Sequence, residues 1–127
     1  NPIKIDSVCS VMDERGYSYE YAQGYSIKTD KADEQLIEDA AKVAKTHENV
    51  IIFAGLTDAY ESEGFDRTTL DIPHNQEALI DAISKVNSNV MVVLSNGAPI
   101  TMPWINNTKA VLEGYLQLQI RKYLLQQ

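Results

Sequence analysis

The sequence predicts an α/β fold: a three-layer α/β/α sandwich around a mostly parallel sheet, flavodoxin-like in organisation. Three observations carry this. The runs Val50-Ile51-Ile52-Phe53-Ala54 and Val90-Met91-Val92-Val93-Leu94 are apolar without alternation, as in strands covered on both faces. Helical periodicity fills the segments before and between them. A strand–helix–strand rhythm of this kind makes a parallel sheet with right-handed crossovers and helices on both faces.

Taken in order, residues 6–15 place Val8, Val11 and Met12 on one helical face, and Gly16 reads as the stop. Residues 17–23 alternate, with Tyr17, Tyr19 and Tyr21 on one side, which predicts a strand. Its tyrosines suit the packed face of a sheet better than a sugar-stacking platform. Residues 30–46 predict a helix with Leu36, Ile37, Ala40, Ala41, Val43 and Ala44 as its apolar stripe; Asp33 and Glu34 suit its N-terminal end. A buried strand follows over about residues 49–54. Pro73 and Asn75 open a second helix that runs to about Val86, with Leu79, Ala82, Ile83 and Val86 inward. The strand at Val90 ends in Ser95-Asn96-Gly97, Pro103 starts a short turn, and Ala110-Val111-Leu112 forms a third short strand. Leu116-Gln117-Leu118-Gln119-Ile120 alternates, and residues 121–127 then end with Leu124 and Leu125 still to bury, so the chain reads as a piece of a larger domain or one shortened at its C-terminal end. The incomplete sheet predicts an exposed edge or apolar face through which such a fragment self-associates.

At 127 residues, with 44% hydrophobic content, the chain suits one domain with a real core. Its net charge of −7, from 18 acidic and 11 basic residues, disfavours nucleic acid or an anionic membrane as partner. The apolar runs are too short to span a bilayer. Cys9 is the only cysteine, so no disulfide framework or thiolate metal site is expected, and it reads as a small buried or half-buried hydrophobe. No signal peptide is visible, and a cytoplasmic location is favoured over secretion.

Chemistry concentrates in Tyr60-Glu61-Ser62-Glu63-Gly64-Phe65-Asp66-Arg67, after the carboxyl end of a core strand, where open α/β sheets place their ligand sites. The alternatives are weaker. The glycines are isolated, with no phosphate loop. His47 and His74 have no partner at metal-ligand spacing. Ser95 lacks the pattern of a nucleophile elbow. A phospho-receiver reading of Asp58, Ser95 and Lys109 lacks the acid pair that would hold magnesium. Neither a metal nor a cofactor is expected. Glu61 and Glu63, two apart on an extended loop, point the same way, into one cleft or both to water. In a cleft, apolar walls or a neighbouring carboxylate would raise a pKa and make a general acid. Arg67 could hold Asp66 or Glu61 in a bidentate pair. The spacing alone leaves open a solvated, salt-bridged loop.

The residues also carry a resemblance. Phe53-Ala54-Gly55-Leu56, the 60–67 segment, Leu70-Asp71-Ile72-Pro73, Asn75-Gln76 and Leu79-Ile80 resemble glycoside hydrolase family 3, specifically the C-terminal α/β-sandwich domain of its bacterial β-glucosidases. Tyr21-Ala22-Gln23-Gly24-Tyr25 upstream, and Asn87-Ser88-Asn89-Val90, Asn96-Gly97-Ala98-Pro99 and Met102-Pro103-Trp104 downstream, continue it. The likeness covers residues 1–116, a partial domain, and leaves 117–127 as an atypical tail in place of the family's Gly-Gly-Gln segment and later strands.

The resemblance implies hydrolysis of terminal β-linked sugars with retention, on an oligosaccharide or aryl glycoside. Two carboxyl groups would come from two domains: the nucleophile from an N-terminal (β/α)8 barrel of the same parent chain, the acid/base from this one. By position the acid/base is Glu63, with Glu61, Asp66 and Arg67 supporting the loop or shaping the substrate site. The isolated chain would then be inactive. Trp104 is assigned to packing over a sugar platform. The competing class is a non-catalytic flavodoxin-like binding or interaction module.

Overall fold

The structure is a computed structural model that describes residues 5–55, 71–95 and 101–113. The elements are α1 (Ile5–Glu14), α2 (Glu34–Lys45), β1 (Val50–Gly55), α3 (His74–Val86), β2 (Val90–Ser95), a 3-10 turn (Ile105–Asn107) and β3 (Ala110–Glu113). The strands pair in parallel in the order β1-β2-β3, with Val50 opposite Val90 and Met91 opposite Ala110. The predicted parallel α/β architecture is the observed one.

Alternation along the strands divides the core into two layers. Ile52 and Ala54 of β1 and Val90, Val92 and Leu94 of β2 pack with Ala40 and Ala44 of α2 and Leu79, Ile80 and Ile83 of α3. Ile80, Ile83 and Leu79 are 0%, 2% and 5% exposed, and each such burial contributes about 1.5–3 kcal/mol. On the opposite face, Ile51, Phe53, Met91, Val93 and Leu112 meet Val11 and Met12 of α1. Trp104 is buried in the first layer, so its role is packing. The side chain of Cys9 and all of residues 117–127 lie outside the described residues.

Local chemistry explains the element boundaries. At the end of α1 the Tyr17 amide donates to the Met12 carbonyl and the Gly16 amide to that of Asp13, with Gly16 at φ 74°, a Schellman closure of the helix. α2 begins later than the predicted residue 30 because Asp33 caps it: Asp33 Oδ1 accepts from the amides of Gln35 at 3.0 Å and Leu36 at 3.1 Å. Residues 26–31 turn instead, with Ser26 and Thr29 hydroxyls accepting from the amides of Lys28 and Lys31. At the other end of α3, Asn87 Nδ2 donates to the carbonyls of Ala44 and His47, and Asn89 Nδ2 to that of Glu48.

The predicted strand over residues 17–23 is not formed. Those residues have no ladder partner among the described residues, and Tyr17 and Tyr21 are 39% and 54% exposed. Alternation alone does not make a strand; a ladder needs a neighbour at about 4.8 Å. Here the chain instead runs past β1 with a cavity of about 320 Å³ between them, walled by Val43, Ala44, Phe53, Leu79 and Ile83.

Candidate functional site at the strand exits

In the described sheet β1 is an edge strand, and its outward backbone groups need partners. Phe53 and Gly55, two apart, turn their peptide groups to the same side. The Tyr25 hydroxyl donates to the Phe53 carbonyl at 2.8 Å. Burial, then the nearby Tyr21, pushes the Tyr25 phenol up to about 12, so it stays a donor through the physiological range. At Gly55 the partner is Gln76: its Oε1 accepts from the Gly55 amide at 2.8 Å, and its Nε2 donates to the Gly55 carbonyl at 2.9 Å. The side-chain amide thus reproduces the pairing that a neighbouring strand would supply.

Sequence places Gln76 there for a local reason. Asn75 and Gln76 stand in the first turn of α3, at helical spacing from Leu79, Ile80 and Ile83, so they share the buried stripe. They are 1% and 2% exposed. Asn75 Nδ2 donates to the carbonyls of Ser26 and Thr29, both at 2.9 Å, and the Asn75 amide donates to the Asp30 carbonyl. One helical turn therefore holds both the end of β1 and the segment that leads into α2. Thr101, after β2, donates to the Asp71 carboxylate, which ties the two strand-exit regions together.

Glu77, next along α3, has its pKa raised, first by desolvation and then by the Asp71 carboxylate, against a lowering influence of His74. Its Oε2 is buried without a hydrogen-bond partner among the described residues. Among those residues, no group of three or more His, Cys, Asp or Glu could hold a metal ion, and no helix is long and apolar enough to cross a membrane.

Glu61, Glu63, Asp66 and Arg67 all fall within residues 56–70, outside the described residues. What the structure describes is the frame on either side: Gly55 at the exit of β1 and Asp71-Ile72-Pro73 at the entry of α3. The sequence reading singled out the charged segment and missed the frame. Tyr25, Asn75 and Gln76 carry it, and the available signal was a pair of amides in phase with an apolar helical stripe.

A parallel α/β domain with its charged segment leaving the carboxyl end of β1 belongs to the class that builds ligand sites from strand-exit segments. Comparison with known proteins specifies the family. Residues 4–122 match the Glycosyl hydrolase family 3 C-terminal domain, and the chain belongs to glycoside hydrolase family 3. It is 46% identical over 118 residues to thermostable beta-glucosidase B of Acetivibrio thermocellus, covering 91% of this chain and 16% of that protein. It is 44% identical over 116 residues to an exo-alpha-(1->6)-L-arabinopyranosidase of Bifidobacterium longum, covering 91% of this chain and 15% of the relative. Among solved structures, a GH3 beta-glucosidase of Bifidobacterium adolescentis superposes with a TM-score of 0.76 at 40% identity, over 81% of this chain and 15% of that one. The chain thus spans about a sixth of the length of these relatives.

Proposed function

We propose that this chain serves as the acid/base-bearing domain of a retaining glycoside hydrolase acting on terminal β-linked sugars, with Glu63 as the general acid/base. The observation that carries this reading is the family match over residues 4–122, which spans the charged segment at the exit of β1. In the proposed reaction Glu63 protonates the glycosidic oxygen as the bond to the anomeric carbon breaks. A carboxylate from an N-terminal barrel forms the glycosyl-enzyme bond on the opposite face of the sugar. Glu63, now ionised, then takes a proton from the water that hydrolyses that bond. Such a mechanism sets the two carboxyl groups about 5–5.5 Å apart. Glu61, Asp66 and Arg67 support the segment, and the chain alone turns over no glycoside.

The relatives' names bear on the substrate class. A β-D-glucopyranoside and an α-L-arabinopyranoside both carry an equatorial leaving group at the anomeric carbon, so one in-line mechanism serves both names. Choice of sugar then falls mostly to the N-terminal barrel, with Glu61, Asp66 and Arg67 able to shape the site from this side.

The test is made in the full-length hydrolase. Glu63→Gln should lower kcat/KM for glycosides with poor leaving groups by about 10²–10⁴-fold and spare activated aryl glycosides. With Glu63→Ala, azide should restore turnover of the activated substrates as a glycosyl azide. The same signature at Glu61, and its absence at Glu63, would move the role to Glu61.

A further inference from the structure

We infer that Gln76 is a positioning residue for the acid/base segment: its side-chain amide fixes the direction in which the chain leaves β1. This rests on the acid/base reading of Glu63. Gly55 is the last residue of β1 and has φ 136°, a region that side-chain-bearing residues rarely adopt. Local sterics therefore do not set the orientation of its peptide groups; the ladder with β2 does so on one side, and on the other side a further partner is needed. Gln76 is that partner, accepting from the Gly55 amide and donating to its carbonyl at 2.8 and 2.9 Å.

Gln76 is itself held. It is 2% exposed, in the first full turn of α3, between Asn75, anchored on the 26–30 turn, and the core residues Leu79 and Ile80. Ile72, which is 2% exposed, and Pro73 lead directly into that same turn. One helical turn thus fixes both stems, and Glu63 lies midway between Gly55 and Asp71 in sequence. A displacement of about 1 Å at a reacting group can cost about 10²-fold in rate, so a shift of these anchors is read in catalysis.

The amide does two things that few side chains can do together at one peptide: it accepts and it donates. A protonated carboxylic acid also does both. An ionised carboxylate only accepts, and would set its charge against the Gly55 carbonyl oxygen. This supplies a test that a purely structural role would not pass. In the full-length hydrolase, Gln76→Leu should lower kcat/KM for an alkyl glycoside by about 10-fold or more, and for a 2,4-dinitrophenyl glycoside by no more than about 2-fold, because the latter leaving group needs no proton. Equal losses on both substrates, tracking a lowered Tm, would overturn the inference.

Gln76→Glu provides the second arm and decides the matter if Gln76→Leu does not fold. Relative to wild type, its activity on the alkyl glycoside should be near normal at the acid end and fall as pH rises, as the introduced, buried carboxyl group ionises above the usual carboxylate range. Among the described residues, the titratable groups on the surrounding elements include Tyr25 at the β1 edge with Tyr21 near it, Asp71, and His74, Glu77 and Asp81 on α3. All are present in wild type, so the ratio cancels their titration. A ratio flat with pH overturns the inference. Glu63→Gln, run alongside, separates the two failures. Without a leaving-group split at Glu63 the acid/base reading falls, and the inference with it. With that split present and none at Gln76, only the positioning role falls.

Discussion

The two ends of α3 solve the same bonding problem under different conditions. At its N-terminal end, beside the carboxyl ends of the strands, Asn75 and Gln76 are buried and bond to the backbone of Ser26, Thr29 and Gly55. At its C-terminal end, beside the amino ends of the strands, Asn87 and Asn89 are half-buried and bond to the carbonyls of Ala44, His47 and Glu48. Lys109 joins them from the solvent side, its Nζ donating to Asn89 Oδ1 at 3.1 Å. Gln76 and Asn87 each satisfy a carbonyl and an N–H at once, as an amide can, whereas Asn75 donates twice and its Oδ1 has no hydrogen-bond partner among the described residues. They differ in whether water can stand in. The Gly55 amide and carbonyl are bonded in a buried setting, so loss of Gln76 leaves the full desolvation penalty on them, whereas the part-buried acceptors of Asn87 reach solvent more readily. The end that frames the charged segment is thus the one where a lost hydrogen bond is least replaceable.

Three substitutions test this contrast beyond the catalytic ones above. Asn75→Ala should destabilise the chain most, by about 2–3 kcal/mol in denaturant unfolding, because the Ser26 and Thr29 carbonyls lose a buried donor and a cavity opens beside Leu79. Asn87→Ala removes two bonds of similar length yet should cost only about 1 kcal/mol, since the Asn87 side chain is half-buried and its removal opens less of a cavity than that of the buried Asn75. Equal losses at the two sites would break the comparison.

Glu77→Gln should have the smallest effect, visible in the pH dependence. In the folded chain the Glu77 pKa is raised by desolvation and by Asp71, so between the ordinary carboxylate value and that raised value the native state holds the proton more firmly than the unfolded state. Stability therefore falls as pH rises through that window. The glutamine variant should lose this slope, and an unchanged slope in unfolding curves taken across the acid range would count against it.

Much of the fold was legible because its signals are local. The continuous apolar runs gave β1 and β2 almost to the residue, Pro73 marked the start of α3, and Gly16 the end of α1. Errors arose where a non-local partner decides. The tyrosine alternation at 17–23 had the period of a strand but joins no ladder among the described residues, and the Tyr25 hydroxyl takes up the Phe53 carbonyl. The start of α2 fell at Glu34 and not near Asp30 because Asp33 caps the helix while the Asp30 carbonyl accepts from Asn75. For the candidate site, sequence singled out the charged segment, whereas Asn75 and Gln76 stayed hidden. Polar residues carry no signal of burial until their hydrogen-bond partners are known.

By itself the sequence determined the α/β class, the apolar strands, the amphipathic helices and the placement of a dense charged segment after β1. These follow from side-chain chemistry repeated at fixed spacing along one chain. Only the tertiary structure decided that β1 ends in a glycine whose peptide groups are held by Gln76, that Asn75 binds a distant turn, and that the Tyr25 hydroxyl takes the Phe53 carbonyl. Each is a contact between residues far apart in sequence, made where burial removes water as the alternative partner.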